Sequence, residues 1–212
     1  MAPLPSVRCS GSKLTGFVLI LTTLVLLSGC WVDSLNGLVE EGFFHSDPDV
    51  TADPGLVGAW EVTSDNCTTT LTITAKDREY ELGGASRGSG CNDEGKNSYY
   101  RALLVKLDNH IFLDVSPRPD DVCEMCLPLH WIFLAKFDKD LLSLTPIDFD
   151  WLKKALEQKT VTLATMPGDA ITLIAPAKEL KAFCRKYGDN ERVFVPVPGL
   201  AFKRKVNPPS QP

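Results

Sequence analysis

Positive charge is scarce in this chain: 22 Lys and Arg stand against 27 Asp and Glu, a formal net charge of −5. Nucleic acid rewards clustered cations, and no such cluster is present, so no nucleic acid partner is expected. Adhesion to anionic lipid by charge is disfavoured on the same ground. Catalytic signatures are missing as well. There is no Gly-x-Ser-x-Gly elbow, no phosphate-binding loop and no His-Glu-x-x-His helix. The three histidines, His45, His110 and His130, fall in unrelated segments and gather no cluster. His130, in a strand pattern beside Trp131, reads as a histidine satisfied by hydrogen bonds. The paired carboxylates Glu40-Glu41, Asp120-Asp121 and Asp148 with Asp150 read as solvated turn and cap residues. No cofactor and no catalytic residue is expected.

Long apolar runs are also absent, and the one near the N-terminus is short. Phe17–Leu27 falls well below the ~20 residues that span a bilayer as a helix. Arg8 and Lys13 precede it and Leu27-Ser28-Gly29-Cys30 ends it. A positive start, an apolar run and small residues are the layout of an export signal. The ending resembles the lipobox of bacterial lipoproteins. That resemblance implies a signal peptide over residues 1–29, cleavage ahead of Cys30, diacylglycerol on its sulfur and an acyl chain such as palmitate on its amine. Acyl chains, at ~0.8 kcal/mol per buried CH2, would hold the protein on a membrane. Trp31 occupies the position where the retention pattern has Asp, so in a bacterial cell envelope with two membranes the resemblance favours the outer one.

Residues 30–55 carry the lipidated cysteine and then two Asp-Pro pairs, scattered glycines and no sustained periodicity. They read as a flexible tether whose ends would sit roughly 25–30 Å apart. Residues 56–206 read as a single β-rich domain, and residues 207–212 as a disordered proline-rich tail. Within the domain the period is two. Thr68–Thr74 is β-branched and runs into a turn near Asp77. Tyr99–Leu107 places Leu103, Val105 and Leu107 on one face, Asp108-Asn109 turns the chain, and His110–Val115 returns. Leu129–Phe137 is apolar on both faces, as for a strand covered by other elements. Asp138–Asp140 turns it into Leu141–Thr145. Helices are expected from Asp148 or Asp150 to Gln158, and over Ala175–Gly188, where Pro176 sits in the first turn. Asp169–Ala175 reads as a strand, and Val193–Lys205 as an extended edge marked by prolines.

Gly58-Ala59-Trp60 at the first strand of the domain is similar to the opening of lipocalin-like (calycin) barrels. The resemblance implies that Trp60 plugs one barrel end. As a whole the chain resembles small envelope lipoproteins with one β-rich domain. The expected fold class is mainly β (α+β), an antiparallel meander that can close as a lipocalin-like barrel, with two helices packed on it.

Five cysteines lie beyond Cys30. Cys184 falls on the apolar face of the second helix and reads as an unpaired buried thiol. Laid on the meander, Cys67, Cys91, Cys123 and Cys126 all reach one rim. Three chemistries compete for them. Disulfides suit an exported chain, with Cys67–Cys91 the natural pair across one hairpin and Cys123–Cys126 closing the next loop. A four-thiolate zinc site has the ligand count but lacks a second short-spaced pair. A redox Cys-x-x-Cys wants thiolate stabilisation, whereas Glu124 and Asp120-Asp121 oppose it. Disulfides fit best.

The function that follows is a membrane-anchored, non-enzymatic β domain that binds a small apolar ligand or an envelope component. An alternative is an assembly module docking an envelope protein along the edge Val193–Phe202. A third is a thiol–disulfide enzyme using Cys123 and Cys126.

Overall fold

The computed structural model describes residues 31–91, 97–118, 127–168 and 170–205. Residues 1–30, where a signal segment and the lipidated Cys30 are expected, Cys123, Cys126 and residues 206–212 lie outside them. Two short strands come first, β1 (Asp33–Ser34) and β2 (Val50–Thr51). Long strands follow: β3 (Gly58–Ser64), β4 (Cys67–Lys76), β5 (Glu79–Arg87), β6 (Asn97–Leu107), β7 (His110–Pro117), β8 (Trp131–Phe137) and β9 (Leu141–Pro146). Helix α1 (Phe149–Glu157), strand β10 (Thr172–Leu173), helix α2 (Ala177–Tyr187) and strand β11 (Ala201–Arg204) complete the order.

From β3 to β9 each strand pairs antiparallel with the next. Asp77 and Asp108 hold the turns with φ of 55° each, a left-handed conformation that aspartate tolerates better than most residues. β11 then pairs with β9 on one side and β3 on the other. Because β6 also pairs with β7, the ring β6-β5-β4-β3-β11-β9-β8-β7 closes. The result is an eight-stranded antiparallel barrel with two helices, the architecture of a lipocalin-like barrel and the fold class expected. Closure corrects one reading. Val193–Lys205 is not an edge: its last residues are the closing strand, and Pro196 and Pro198 precede that strand, where no ladder needs their missing N–H.

Alternation along the strands builds two cores. Trp60, Ile73, Tyr80, Leu82, Leu104, Leu113, Phe133, Leu142 and Phe202 point inward and fill the barrel. Trp60 is fully buried at the end where β3 begins. Its indole N–H donates to Leu56 O at 2.9 Å. The Arg204 guanidinium lies 4.0 Å over its ring, donating in turn to the carbonyls of Val57, Gly55 and Lys139. On the outer wall, Val105, Leu107, Phe112, Ile132 and Leu134 are buried under α1 and α2. This accounts for the two-faced apolar pattern of β8. Asp148 caps α1, accepting from Trp151 N at 2.7 Å. The apolar stripe of α2 buries Leu180, Phe183 and Cys184.

The largest departure concerns residues 31–55. They form no tether; they are a strap bound to the barrel. Trp31, Val32, Leu38, Val39 and Val50 are buried. β1 pairs with β10 and, through Ser34, with His130; β2 pairs with β6. Lys181 of α2 holds Asp47 and Asp49, each at 2.7 Å, and Arg185 reaches Asp49 at 3.2 Å. None of these partners is near in sequence, so no local period announces the order. Gly37, which looks like a linker glycine, is one of close approach. A Cβ there would lie 2.5 Å from Asp114 Oδ2 and 2.8 Å from the His130 ring.

Burial pushes the Asp49 carboxyl up, but the Lys181 hydrogen bond and the Lys181 and Arg185 charges outweigh it and hold it below the usual value. A carboxyl depressed in the folded state contributes stability above its unfolded value and loses it as pH falls through the folded one. The strap is therefore expected to loosen below about pH 4. Amide exchange at Val50, followed between pH 6 and pH 3, checks this; Asp49→Asn should remove the acid dependence contributed by this residue.

Cys67 at the start of β4 and Cys91, in the loop just beyond β5, form a disulfide across a sequence separation of 24. Closing such a loop contributes about 3 kcal/mol. It also removes two thiols from the four-thiolate zinc alternative. Cys184 is free and buried, and burial, aided by the Asp114 charge, pushes its thiol far above the ordinary range. It is an inert packing residue.

Candidate functional site

With the barrel interior filled by side chains, the cleft of interest lies outside it. A groove of about 500 Å³ runs between the outer wall and the strap. Leu103 on β6 and Pro117 on β7 give its apolar floor. Leu35, Val39 and Phe44 of the strap form one side, and Pro176 and Ala177 at the start of α2 close another. A cleft of this size and mixed lining suits a small ligand.

Three of its polar members lie side by side on the wall, on β6, on β7 and just ahead of β8; Asn36, Glu40 and Glu41 of the strap line it too. Arg101 on β6 sits directly across from Ser116 on β7. The β7–β8 register ends at Val115 opposite Trp131, which puts Ser116 and His130 at the next facing position. Arg101, Ser116 and His130 thus form a row across the wall, all lining the groove. Alternation explains why they face outward, since Ala102, Val115 and Trp131 beside them belong to the inner side.

The row is supported from one end. Asp114, two residues before Ser116, is almost wholly buried. Its Oδ1 lies 2.7 Å from His130 Nδ1, and its Oδ2 accepts from Leu38 N at 2.6 Å. One carboxylate therefore orients the histidine and pins the strap. The His130 backbone is fixed too, exchanging hydrogen bonds with Ser34 at 2.7 and 2.9 Å. Nδ1 is committed to Asp114, which leaves Nε2 as the ring nitrogen available to the groove. Arg101 has one loose ion pair, to Glu79 at 4.0 Å, and makes no hydrogen bond through its side chain among the described residues. Nearby, the indole N–H of Trp131 donates to Asp33 Oδ1 at 2.8 Å. Burial pushes that carboxyl up, partly offset by the Trp131 hydrogen bond.

The residues singled out from sequence are distributed differently. Trp60 is at one end of the barrel, away from the groove, and the Cys67–Cys91 disulfide staples a hairpin end. Cys30, Cys123 and Cys126 lie outside the described residues. His130 is indeed satisfied by a hydrogen bond, yet it also lines the groove. Arg101, Ser116 and Asp114 were not legible as site residues. The available signal was a polar residue at alternate positions of strands otherwise covered on that face, and it becomes visible only once the register is known. Among the described residues no cluster of His, Cys, Asp and Glu is placed to hold a metal, and no helix is long and apolar enough to cross a membrane.

Fold and site together define a closed antiparallel barrel with an external, strap-covered groove. No protein-family model matches the chain, and no curated protein or solved structure is significantly similar to it.

Proposed function

We propose that this chain is a lipid-anchored protein of the bacterial envelope, acylated at Cys30, whose barrel carries a non-enzymatic binding groove for a small apolar ligand. The groove between the outer wall and the strap is the observation that carries the reading. Leu103, Val39, Phe44 and Ala177 offer apolar surface there, and the Asp114–His130 hydrogen bond keeps the cleft pre-formed. Pre-formed apolar clefts with a few fixed polar groups are the usual form of ligand sites. The lining is what favours binding: apolar side chains make up most of the cleft, and Arg101, Ser116 and His130 are a few polar groups at set positions on its wall. The lipobox residues Leu27–Cys30 support the anchor, and the acidic balance leaves lipid as its source.

A photo-crosslinking experiment on the native protein in its membranes tests both parts. A diazirine-bearing octanol is expected to label groove peptides, 35–44 and 101–117, with labelling suppressed by Leu103→Trp. Cys30→Ala should abolish incorporation of labelled palmitate. Labelling spread evenly over the surface, or unaffected by Leu103→Trp, would sink the groove reading; palmitate retained without Cys30 would sink the anchor.

A further inference from the structure

We propose that the groove recognises an acidic head group: its ligand is a single-chain amphiphile ending in a carboxylate, read by the row Arg101, Ser116 and His130. The inference rests on the groove being a binding site and adds the chemistry of what it binds.

The row places three complementary groups side by side. Arg101 brings a guanidinium whose N–H donors make no hydrogen bond among the described residues, with only Glu79 nearby at 4.0 Å. A guanidinium fork matches the two oxygens of a carboxylate, and charge-assisted hydrogen bonds of this kind are the strong ones. Ser116 is buried in the wall yet lines the groove, and its hydroxyl has no hydrogen-bond partner among the described residues. It can donate to the same carboxylate. His130 has Nδ1 engaged with Asp114 at 2.7 Å, so Nε2 faces a head group with either a lone pair or an N–H. One proton shared between that nitrogen and the ligand carboxyl satisfies both, as O–H···N or as N–H···O.

The α2 N-terminus, at Pro176 and Ala177, borders the same cleft and adds the positive end of an eleven-residue helix. The opposing charges are Glu79, 4.0 Å from Arg101, Asp114 behind His130, and Glu40 and Glu41 of the strap, which are exposed at the mouth. Acid at the mouth and a cation on the barrel's outer wall, at the floor of the groove, orient an amphiphile with its carboxylate against the row. Its chain then lies along Leu103, Val39 and Phe44. An uncharged ligand would leave the Arg101 donors unpaired inside a partly closed site, a cost that discriminates against it.

The test compares two probes of equal chain length, diazirine-octanoate and diazirine-octanol, on the native protein in its membranes. The octanoate should half-saturate groove labelling at a concentration about tenfold lower than the octanol. Arg101→Gln and Ser116→Ala should each erode that preference while leaving octanol labelling in place, which also shows that the variants are folded. His130→Gln should weaken it as well. If both probes label the groove equally, the head-group assignment is overturned and the groove survives. If neither labels it, both readings fall. A preference that persists through Arg101→Gln and His130→Gln would place recognition elsewhere and overturn the assignment.

Discussion

Replacing Trp60 by alanine is expected to destabilise the protein by about 3–5 kcal/mol, the largest loss from any single side chain of the barrel. The indole is fully buried and contributes three things. It fills the interior at the end where β3 begins, it donates to Leu56 O, and it offers its face to Arg204 at 4.0 Å. Alanine leaves a cavity, an unpaired carbonyl and a guanidinium without its ring. Because Arg204 also ties the carbonyls of Val57 and Lys139 together, the closing strand β11 should loosen with it. Trp60→Phe keeps most of the volume and loses the hydrogen bond, for about 1–2 kcal/mol. Urea unfolding of the two variants checks the ranking. A Trp60→Ala loss no greater than that of Trp60→Phe would mean that the ring is not the plug of this end.

The second large effect is expected at Asp114. Its carboxylate serves two donors, Leu38 N and His130 Nδ1, at 2.6 and 2.7 Å. Asp114→Ala abandons both in a buried site, at about 1–3 kcal/mol for each group left unsatisfied. The cost should fall on the strap first, because Leu38 is its deepest residue. Exchange of the Leu38 amide is therefore expected to accelerate by about a hundredfold, with global unfolding shifted by less. Asp114→Asn keeps one acceptor and should cost less on both measures. If the Leu38 amide stays as protected in Asp114→Ala as in the native chain, the carboxylate does not hold the strap. Probe binding in the groove should weaken in parallel, since the strap is one of its walls.

What the chain discloses before folding depends on how local the cause is. The turns at Asp77 and Asp108 were readable, because an aspartate between two alternating runs sets its own backbone. The helices were readable from Asp148 and from the stripe Leu180, Phe183 and Cys184. Barrel closure was not. It depends on Lys203 and Arg204 meeting Glu61 and Trp60, residues at opposite ends of the domain with no shared pattern. The strap was hidden for the same reason: its ion pairs run from Asp47 and Asp49 to Lys181. The site is an extreme case. Arg101, Ser116 and His130 each look ordinary in their own strands, and only the pairing of β6 with β7 and β7 with β8 makes them neighbours.

The order of the strap changes how the protein would meet a membrane. Trp31 is buried and packs edge-on against Phe133, with ring centroids 5.9 Å apart, so the residue next to the proposed lipid attachment is already part of the globule. A domain on a slack linker samples every orientation and reaches tens of ångströms into the aqueous space. This one would be moored flush, with one barrel end turned to the headgroups and little freedom to rotate. The groove wall starts at Leu35, only a few residues along. An amphiphile leaving the bilayer could pass into the cleft by a short lateral step, without dissolving in bulk water. The effective concentration at the mouth would then be set by the mole fraction of that amphiphile in the leaflet rather than by its solubility.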